Sequence, residues 1–165
     1  MSYQSFEQVL QKCHTEEKEF WRVILEDDMA ERNVSEEDSM EHMRATWDAM
    51  LLAAATYEGN LNSSSGLVGG DGRRMEEYIR SAQTKSLCGE YVDTCIAGAL
   101  QMGESNACMK RIVAAPTAGA CGVLPAVLVP YFQKRCKDTD KILKAMYVAA
   151  GIGQIIATRS SISGA

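Results

Sequence analysis

Three stretches interrupt an otherwise helix-patterned chain, and they limit the possible fold more than any other feature. Gly59 to Gly72 reads Gly-Asn-Leu-Asn-Ser-Ser-Ser-Gly-Leu-Val-Gly-Gly-Asp-Gly, with five glycines and three consecutive serines. Lys110 to Gly122 reads Lys-Arg-Ile-Val-Ala-Ala-Pro-Thr-Ala-Gly-Ala-Cys-Gly, and the last residues read Arg159-Ser-Ser-Ile-Ser-Gly-Ala165. Glycine and proline at this density break helices, and clustered serine and threonine favour turns. Between these stretches apolar residues recur in steps of three and four, the helical period. The Ile112 to Ala115 run has the composition of a strand, but no partner strand is evident. The expected class is all-α, with helices joined by Gly/Ser/Thr-rich loops.

Helix boundaries follow from capping chemistry. Thr15 is expected to cap a helix from Glu16 to about Arg32, with acidic residues in its first turn. Ser35 and Asp38 have the spacing of a capping box. The next helix carries Met40, Met43, Trp47, Met50, Leu51 and Ala54 on one stripe, which reads as core packing. Helices are also expected at Arg73 to about Lys85 and Cys88 to Met102. In the second of these Tyr91, Val92, Cys95, Ile96, Ala99 and Leu100 form the expected buried face. Leu124 to Arg135 should be helical, with Pro125 tolerated in its first turn and Pro130 producing a kink. Asp138 or Thr139 should cap a last helix reaching about Thr158, whose Ala-Ala-Gly-Ile-Gly segment suits a close helix contact. The expected organisation is one incomplete helical domain, with residues 1–58 as an N-terminal helical module and 59–165 carrying the loops.

Composition excludes several functions. The 165 residues carry a net charge of -5 with 17 Lys and Arg and no dense basic run, so nucleic acid and anionic membrane are not expected partners. Aromatic residues make up only 7% while alanine and glycine are frequent, which suits closely packed helices. Met1 to Leu10 lacks the order of a signal peptide, and no uncharged run reads as a membrane span. The expected location is a cytoplasm, where thiols stay reduced. Cys13, Cys88, Cys95, Cys108, Cys121 and Cys136 contain no Cys-x-x-Cys pair, and His14 and His42 complete no zinc pattern. Each cysteine reads as a small buried hydrophobe. Glu41-His42 reads as a solvated helix edge.

Loops rich in glycine and hydroxyls suit one kind of ligand. Glycine lets the backbone approach closely, and neighbouring Ser or Thr adds donors. Together they fit a small carboxylate or phosphate. Ser65 to Asp71 is not a phosphate-binding Gly-x-x-x-x-Gly-Lys-Ser/Thr loop, and it follows no strand. Lys85 is the nearest lysine for a pyridoxal phosphate Schiff base, and nothing around it recommends that role.

The loops as a set resemble a known family. Ser63-Ser64-Ser65-Gly66-Leu67-Val68-Gly69-Gly70-Asp71, then Ala114-Ala115-Pro116-Thr117-Ala118-Gly119-Ala120-Cys121-Gly122-Val123-Leu124-Pro125-Ala126, then Ser160-Ser161-Ile162-Ser163-Gly164-Ala165 are similar, in order and approximate spacing, to three signatures of the iron–sulfur L-serine dehydratase α subunit. The Ala-Pro-Thr-Ala-Gly block is the most specific. The resemblance implies an all-helical catalytic domain, L-serine as substrate, a partner β subunit, and a [4Fe–4S] cluster in place of pyridoxal phosphate. It implies conversion of serine to pyruvate and ammonia, with a cluster iron as Lewis acid on the hydroxyl and a base at the α-proton. In the family the cluster cysteines begin after Ser-Ile-Ser-Gly-Ala, so the ligands are expected downstream of Ala165. No ligand is transferred to the six cysteines here, and no catalytic base is assigned.

From this follow the substrate-site expectations. Ser63, Ser64, Ser65 and Gly66, with Pro116, Thr117, Ala118 and Gly119, are expected to hold the substrate carboxylate through hydroxyls and backbone N–H groups. Ser161 and Ser163 are expected to add donors. Asp71 either receives the ammonium or caps the following helix. The alternative for the chain as it stands is a helical fragment or assembly module without cluster, in which a homodimer covers exposed apolar surface.

Overall fold

The computed structural model describes residues 3–81 and 86–160 of the chain. Its described residues form seven α-helices and no strand: α1 (Phe6–Glu16), α2 (Phe20–Arg32), α3 (Glu36–Ala55), α4 (Asp71–Arg80), α5 (Glu90–Ala107), α6 (Val123–Tyr131) and α7 (Thr139–Arg159). The all-α expectation holds. A 3-10 turn at Ala118–Ala120 precedes α6, and a π-helical turn at Phe132–Cys136 follows it.

Two compact units emerge. One joins the residues up to Trp47 with those from Asp138 onward, and the other is Asp48–Lys137. In the first, α2 packs against α7 and α1. Val9, Val23, Ile24, Leu25, Tyr147 and Ile155 form its buried core, with Met40 and Met43 packed on it. The Tyr147 hydroxyl lies 2.7 Å from Ser39 Oγ, and Ser39 donates to Asp28 at 2.6 Å, so the buried phenol has a partner. In the second unit α5 is central, with α4 and α6 both packed on it. Ala53, Met102 and Cys121 are its buried centre.

Local chemistry explains most boundaries. Ser35 and Asp38 form the reciprocal box: Asp38 N–H donates to Ser35 Oγ at 3.1 Å, and Ser35 N–H to Asp38 Oδ2 at 3.3 Å. Asp138 caps α7 by accepting from Lys141 N–H at 3.2 Å. Trp47 and Met50 of the Met-Trp stripe are buried, whereas Glu41 and His42 face solvent.

Three expectations need correction. Thr15 caps nothing. It lies inside α1, where its hydroxyl donates to Gln11 O at 2.8 Å. The chain turns at Glu17, in left-handed conformation at φ 50°, and restarts at Phe20. The second correction concerns the cysteines, of which only Cys121 is buried and Cys88 is exposed. The third concerns α5, where Val92, Ile96 and Leu100 are 41%, 41% and 38% exposed. Its buried residues are instead Asp93, Ala97, Met102, Glu104 and Ser105. Acidic side chains can be buried there because each has partners, Asp93 accepting from the Ser86 hydroxyl at 2.8 Å.

One ion-pair cluster makes the first unit acid-sensitive. Glu26 receives Lys18 at 2.8 Å and Arg22 at 3.1 Å. The Lys18 hydrogen bond, then that of Arg22, holds the Glu26 carboxyl below its ordinary range. The folded pKa is therefore below the unfolded value of about 4.3, so the stabilisation is complete above that pH and is lost as pH falls through the folded value. These groups are a quarter to a third exposed, which limits the effect to below about 1 kcal/mol. Glu26→Gln should have a lower urea midpoint than the parent at pH 7, and the two should converge by about pH 3. A gap that stays constant across that range would contradict the assignment.

Candidate functional site: two loops anchored on one helix

The second unit builds its loops around the end of α5. Glu104 is buried at 2% exposure. Its Oε1 accepts from the backbone N–H of Asp71 at 2.5 Å and of Gly72 at 3.1 Å, and its Oε2 accepts from the Tyr57 hydroxyl at 2.5 Å. The two N–H groups are at the N-terminus of α4, where donors are orphaned and the helix dipole favours an anion. Gly70 stands at the N-cap of α4 with φ 84° and has no side chain to cap with. A carboxylate from another helix fills that role. Burial, and then the bond to Glu104, raises the Tyr57 pKa above its ordinary value, so the phenol stays a donor. Gly72 is needed for this approach: a Cβ there would stand 2.7 Å from Gln101 Cγ and 2.8 Å from Tyr57 Oη.

Between Tyr57 and Asp71 the serine loop closes on itself. Ser63 N–H donates to Val68 O at 2.8 Å, and Val68 N–H donates to Ser63 Oγ at 3.1 Å. Ser63 Oγ and Ser65 Oγ share a hydrogen bond at 3.1 Å, and Leu67 N–H donates to Ser65 Oγ at 3.4 Å. Gly66 makes the turn at φ 71° and bonds back to Ser63 O at 2.9 Å. Ser63 and Ser65 therefore shape the loop; Ser63 is buried, whereas Ser64 and Ser65 are both exposed. Asp71 is the first residue of α4, and its carboxylate pairs with Arg74 at 2.7 Å.

The second loop leaves α5 from a different side. The Asn106 side-chain amide donates to Ala118 O at 3.1 Å. The 3-10 turn closes with Ala120 N–H on Thr117 O and Cys121 N–H on Ala118 O, at 3.1 and 3.2 Å. The Ala115-Pro116 bond is cis. Pro116 and Gly119 are exposed, Thr117 and Ala118 half-buried. Cys121 is a packing residue: its thiol is buried against Met102, and burial pushes its pKa up. Glu104 and Asn106 are two residues apart, hence about 200° around α5 and about 3 Å along it. One turn of helix thus anchors both loops on opposite sides. Ser161, Ser163 and Lys85 lie outside the described residues.

Reading the sequence missed Glu104 and Tyr57 as members of this arrangement. Glu104 is seven residues after Ala97 and three after Gln101, so it shares the small-residue face of α5. A carboxylate at that position was the available signal. The groove between α4, α5 and α6 has a volume of about 310 Å³, and its lining includes Ala97, Gly98, Gln101 and Val129 but none of the expected loop residues.

The described residues do not fit an iron–sulfur cluster. Among them no group of three or more His, Cys, Asp or Glu side chains converges as a metal site. No helix among them is long and apolar enough to cross a membrane.

Fold and loops together define an all-α protein that presents two glycine-rich, hydroxyl-bearing loops from one helix end. The chain belongs to the serine dehydratase alpha chain family, whose model matches residues 15–165. It is 30% identical over 162 residues to the L-serine dehydratase, alpha chain, of Peptoniphilus asaccharolyticus, covering 96% of this chain and 54% of that protein. It is 32% identical over 143 residues to the probable L-serine dehydratase, alpha chain, of Bacillus subtilis, covering 87% and 47%. A shorter match, 45% over 69 residues, relates 41% of it to 15% of L-serine dehydratase 2 of Escherichia coli. The chain therefore spans about half the length of the two alpha chains. No solved structure matches it.

Proposed function

We propose that this chain supplies the substrate-carboxylate part of an L-serine dehydratase, which eliminates water from L-serine and releases pyruvate and ammonia. The observation that carries this is the anchoring of both signature loops to one turn of α5 in a chain of this family. L-Serine is the substrate, and a companion β subunit completes the enzyme, in keeping with the alpha chain names of the relatives. The cytoplasm is the proposed location. A [4Fe–4S] cluster, implied by the sequence resemblance, would take its ligands from outside the described residues, and no step is assigned to it.

What this chain's own residues contribute is orientation. Loss of the α-proton and the β-hydroxyl from serine gives aminoacrylate, which becomes an imine and then hydrolyses. Holding the carboxylate at fixed donors turns the Cα–H and Cβ–OH bonds toward the groups that act on them. Ser64 and Thr117 are the proposed hydroxyl donors, aided by backbone N–H groups of Ser64 and Ser65 and of Thr117–Gly119, with Gly66 making the turn that presents them. Ser63 and Ser65 hold the loop in shape. Ser161 and Ser163, outside the described residues, stay proposed as further donors.

In the assembled enzyme, Ser64→Ala and Thr117→Ala should each raise KM for L-serine by about tenfold or more, the scale of one hydrogen bond to a charged group. Steady-state pyruvate formation reads this directly. Parental KM in both variants would sink the carboxylate clamp.

A second reading, an assembly module, draws on one observation. Val92, Ile96 and Leu100 on α5, with Val123, Val127 and Tyr131 on α6, are each 38–60% exposed. Such a patch suits self-association or a partner. Sedimentation of the chain alone, showing a monomer at all concentrations, would set the homodimer aside.

A further inference from the structure

We propose that Glu104 is the positioning residue of the serine loop, fixing both of its ends through one buried carboxylate. This rests on the reading of that loop as a substrate donor. Its geometry is specific. Tyr57 stands before the loop and donates to Oε2, while Asp71 and Gly72 stand after it and donate to Oε1. A loop whose two ends are held to the same group has little freedom to widen, however its middle is bonded. The internal bonds from Ser63 to Val68 give the loop its shape, and Glu104 sets where that shape stands relative to α5. Asn106, on the other side of the same turn, holds Ala118 of the second loop. The separation of the two donor sets is then fixed by the rigid backbone of one helical turn.

The chemistry at Glu104 separates positioning from charge. In Glu104→Gln the amide oxygen can still accept both N–H groups, and the amide nitrogen can donate to the Tyr57 oxygen, so both ends stay held. Glu104→Leu keeps the approximate volume and releases both. Tyr57→Phe releases the leading end alone.

The test combines kinetics of the assembled enzyme with amide hydrogen exchange over residues 63–72. Glu104→Leu should raise KM for L-serine by about tenfold, with exchange in the loop accelerated by a similar factor. Glu104→Gln should stay within about threefold of the parent on both measures, and Tyr57→Phe should fall between. Parental KM and parental loop exchange in Glu104→Leu would overturn the proposal. If that variant does not fold, Tyr57→Phe decides: unchanged loop exchange and unchanged KM overturn it equally. Should the parent enzyme make no pyruvate from serine, the proposed function fails, while loop exchange in the variants still decides whether Glu104 positions the loop.

Discussion

Glu104→Ala is expected to destabilise the chain by about 3 kcal/mol, among the larger effects of any single substitution in it. Three donors lose their acceptor at once: the N–H groups of Asp71 and Gly72 and the Tyr57 hydroxyl. Leaving a buried donor without a partner costs about 1–3 kcal/mol, and Gly72 is fully enclosed. Asp71 and Tyr57 are less enclosed and can recruit water, which lowers their share. Removing a buried carboxylate also recovers its desolvation cost, so the total falls short of the three penalties added together. A lowering of the melting temperature by roughly 6–12 °C follows for a chain of this size. Calorimetry of the parent, Glu104→Ala and Glu104→Gln measures it. The glutamine variant should recover most of the loss, because its oxygen can accept both N–H groups. If alanine and glutamine were equally destabilising, charge rather than hydrogen bonding would be the source, and the capping argument would fail.

Glu104 has its partners 32 to 47 residues away, and contacts at that range leave little trace in local sequence pattern. Helices were legible because their signals are local. Ser35 with Asp38, and Asp138 with Lys141, sit within one turn of each other, so their spacing alone specifies the cap. The all-α class followed from apolar periodicity between loops too glycine-rich to be helical. The start of α2 was misplaced because Thr15 has a competing local option, a bond back to Gln11 O within α1. The buried face of α5 was misread for a different reason. Hydropathy favours Val92, Ile96 and Leu100, whereas the buried positions include Asp93 and Glu104, whose partners lie 7 to 47 residues away in sequence. Long-range partners leave no periodic trace.

The loops themselves were legible as donor-rich segments, but the division of labour inside them was not. Three consecutive serines look equivalent in sequence. In the fold Ser63 is buried and accepts from Val68 N–H, whereas Ser64 and Ser65 are both exposed and Ser65 accepts from Leu67 N–H within the loop. Similarly, the sequence allows Asp71 to be an ammonium partner or a helix cap. Its exposed carboxylate pairs with Arg74 and the capping comes from Glu104, so of the two roles only the ammonium partner remains as a proposal. Both outcomes depend on which neighbour reaches a group first in three dimensions.

Gly151→Leu should be at least as costly, by about 3 kcal/mol or more, and it acts in the other unit. Gly151 lies on α7 where it crosses α2, and a Cβ there would stand 2.6 Å from Ile24 Cδ1, 2.7 Å from Ile24 Cγ1 and 3.0 Å from Phe20 Cε1. Ile24 is 1% exposed, within the cluster of Val23, Leu25, Tyr147 and Ile155, so it has little room to retreat. Overpacking of this kind costs about 1–3 kcal/mol for added methylenes, and leucine adds a branched side chain to a full crossing. Gly153, two residues on, is the control, since a Cβ there meets nothing within 4 Å. Gly153→Ala should stabilise by up to about 1 kcal/mol through helix propensity alone. The same gain is available to Gly151→Ala but is opposed by the contact with Ile24, so that variant should be no more stable than the parent. Combining Gly151→Ala with Ile24→Val should cost less than the two single effects summed, because the valine removes the Cδ1 that the new methyl meets. Urea midpoints of the five variants, Gly151→Leu, Gly151→Ala, Gly153→Ala, Ile24→Val and the pair, decide this. Strict additivity of the pair, or a Gly151→Ala as stable as Gly153→Ala, would show that α7 can shift away from α2 and that glycine is not what sets the crossing.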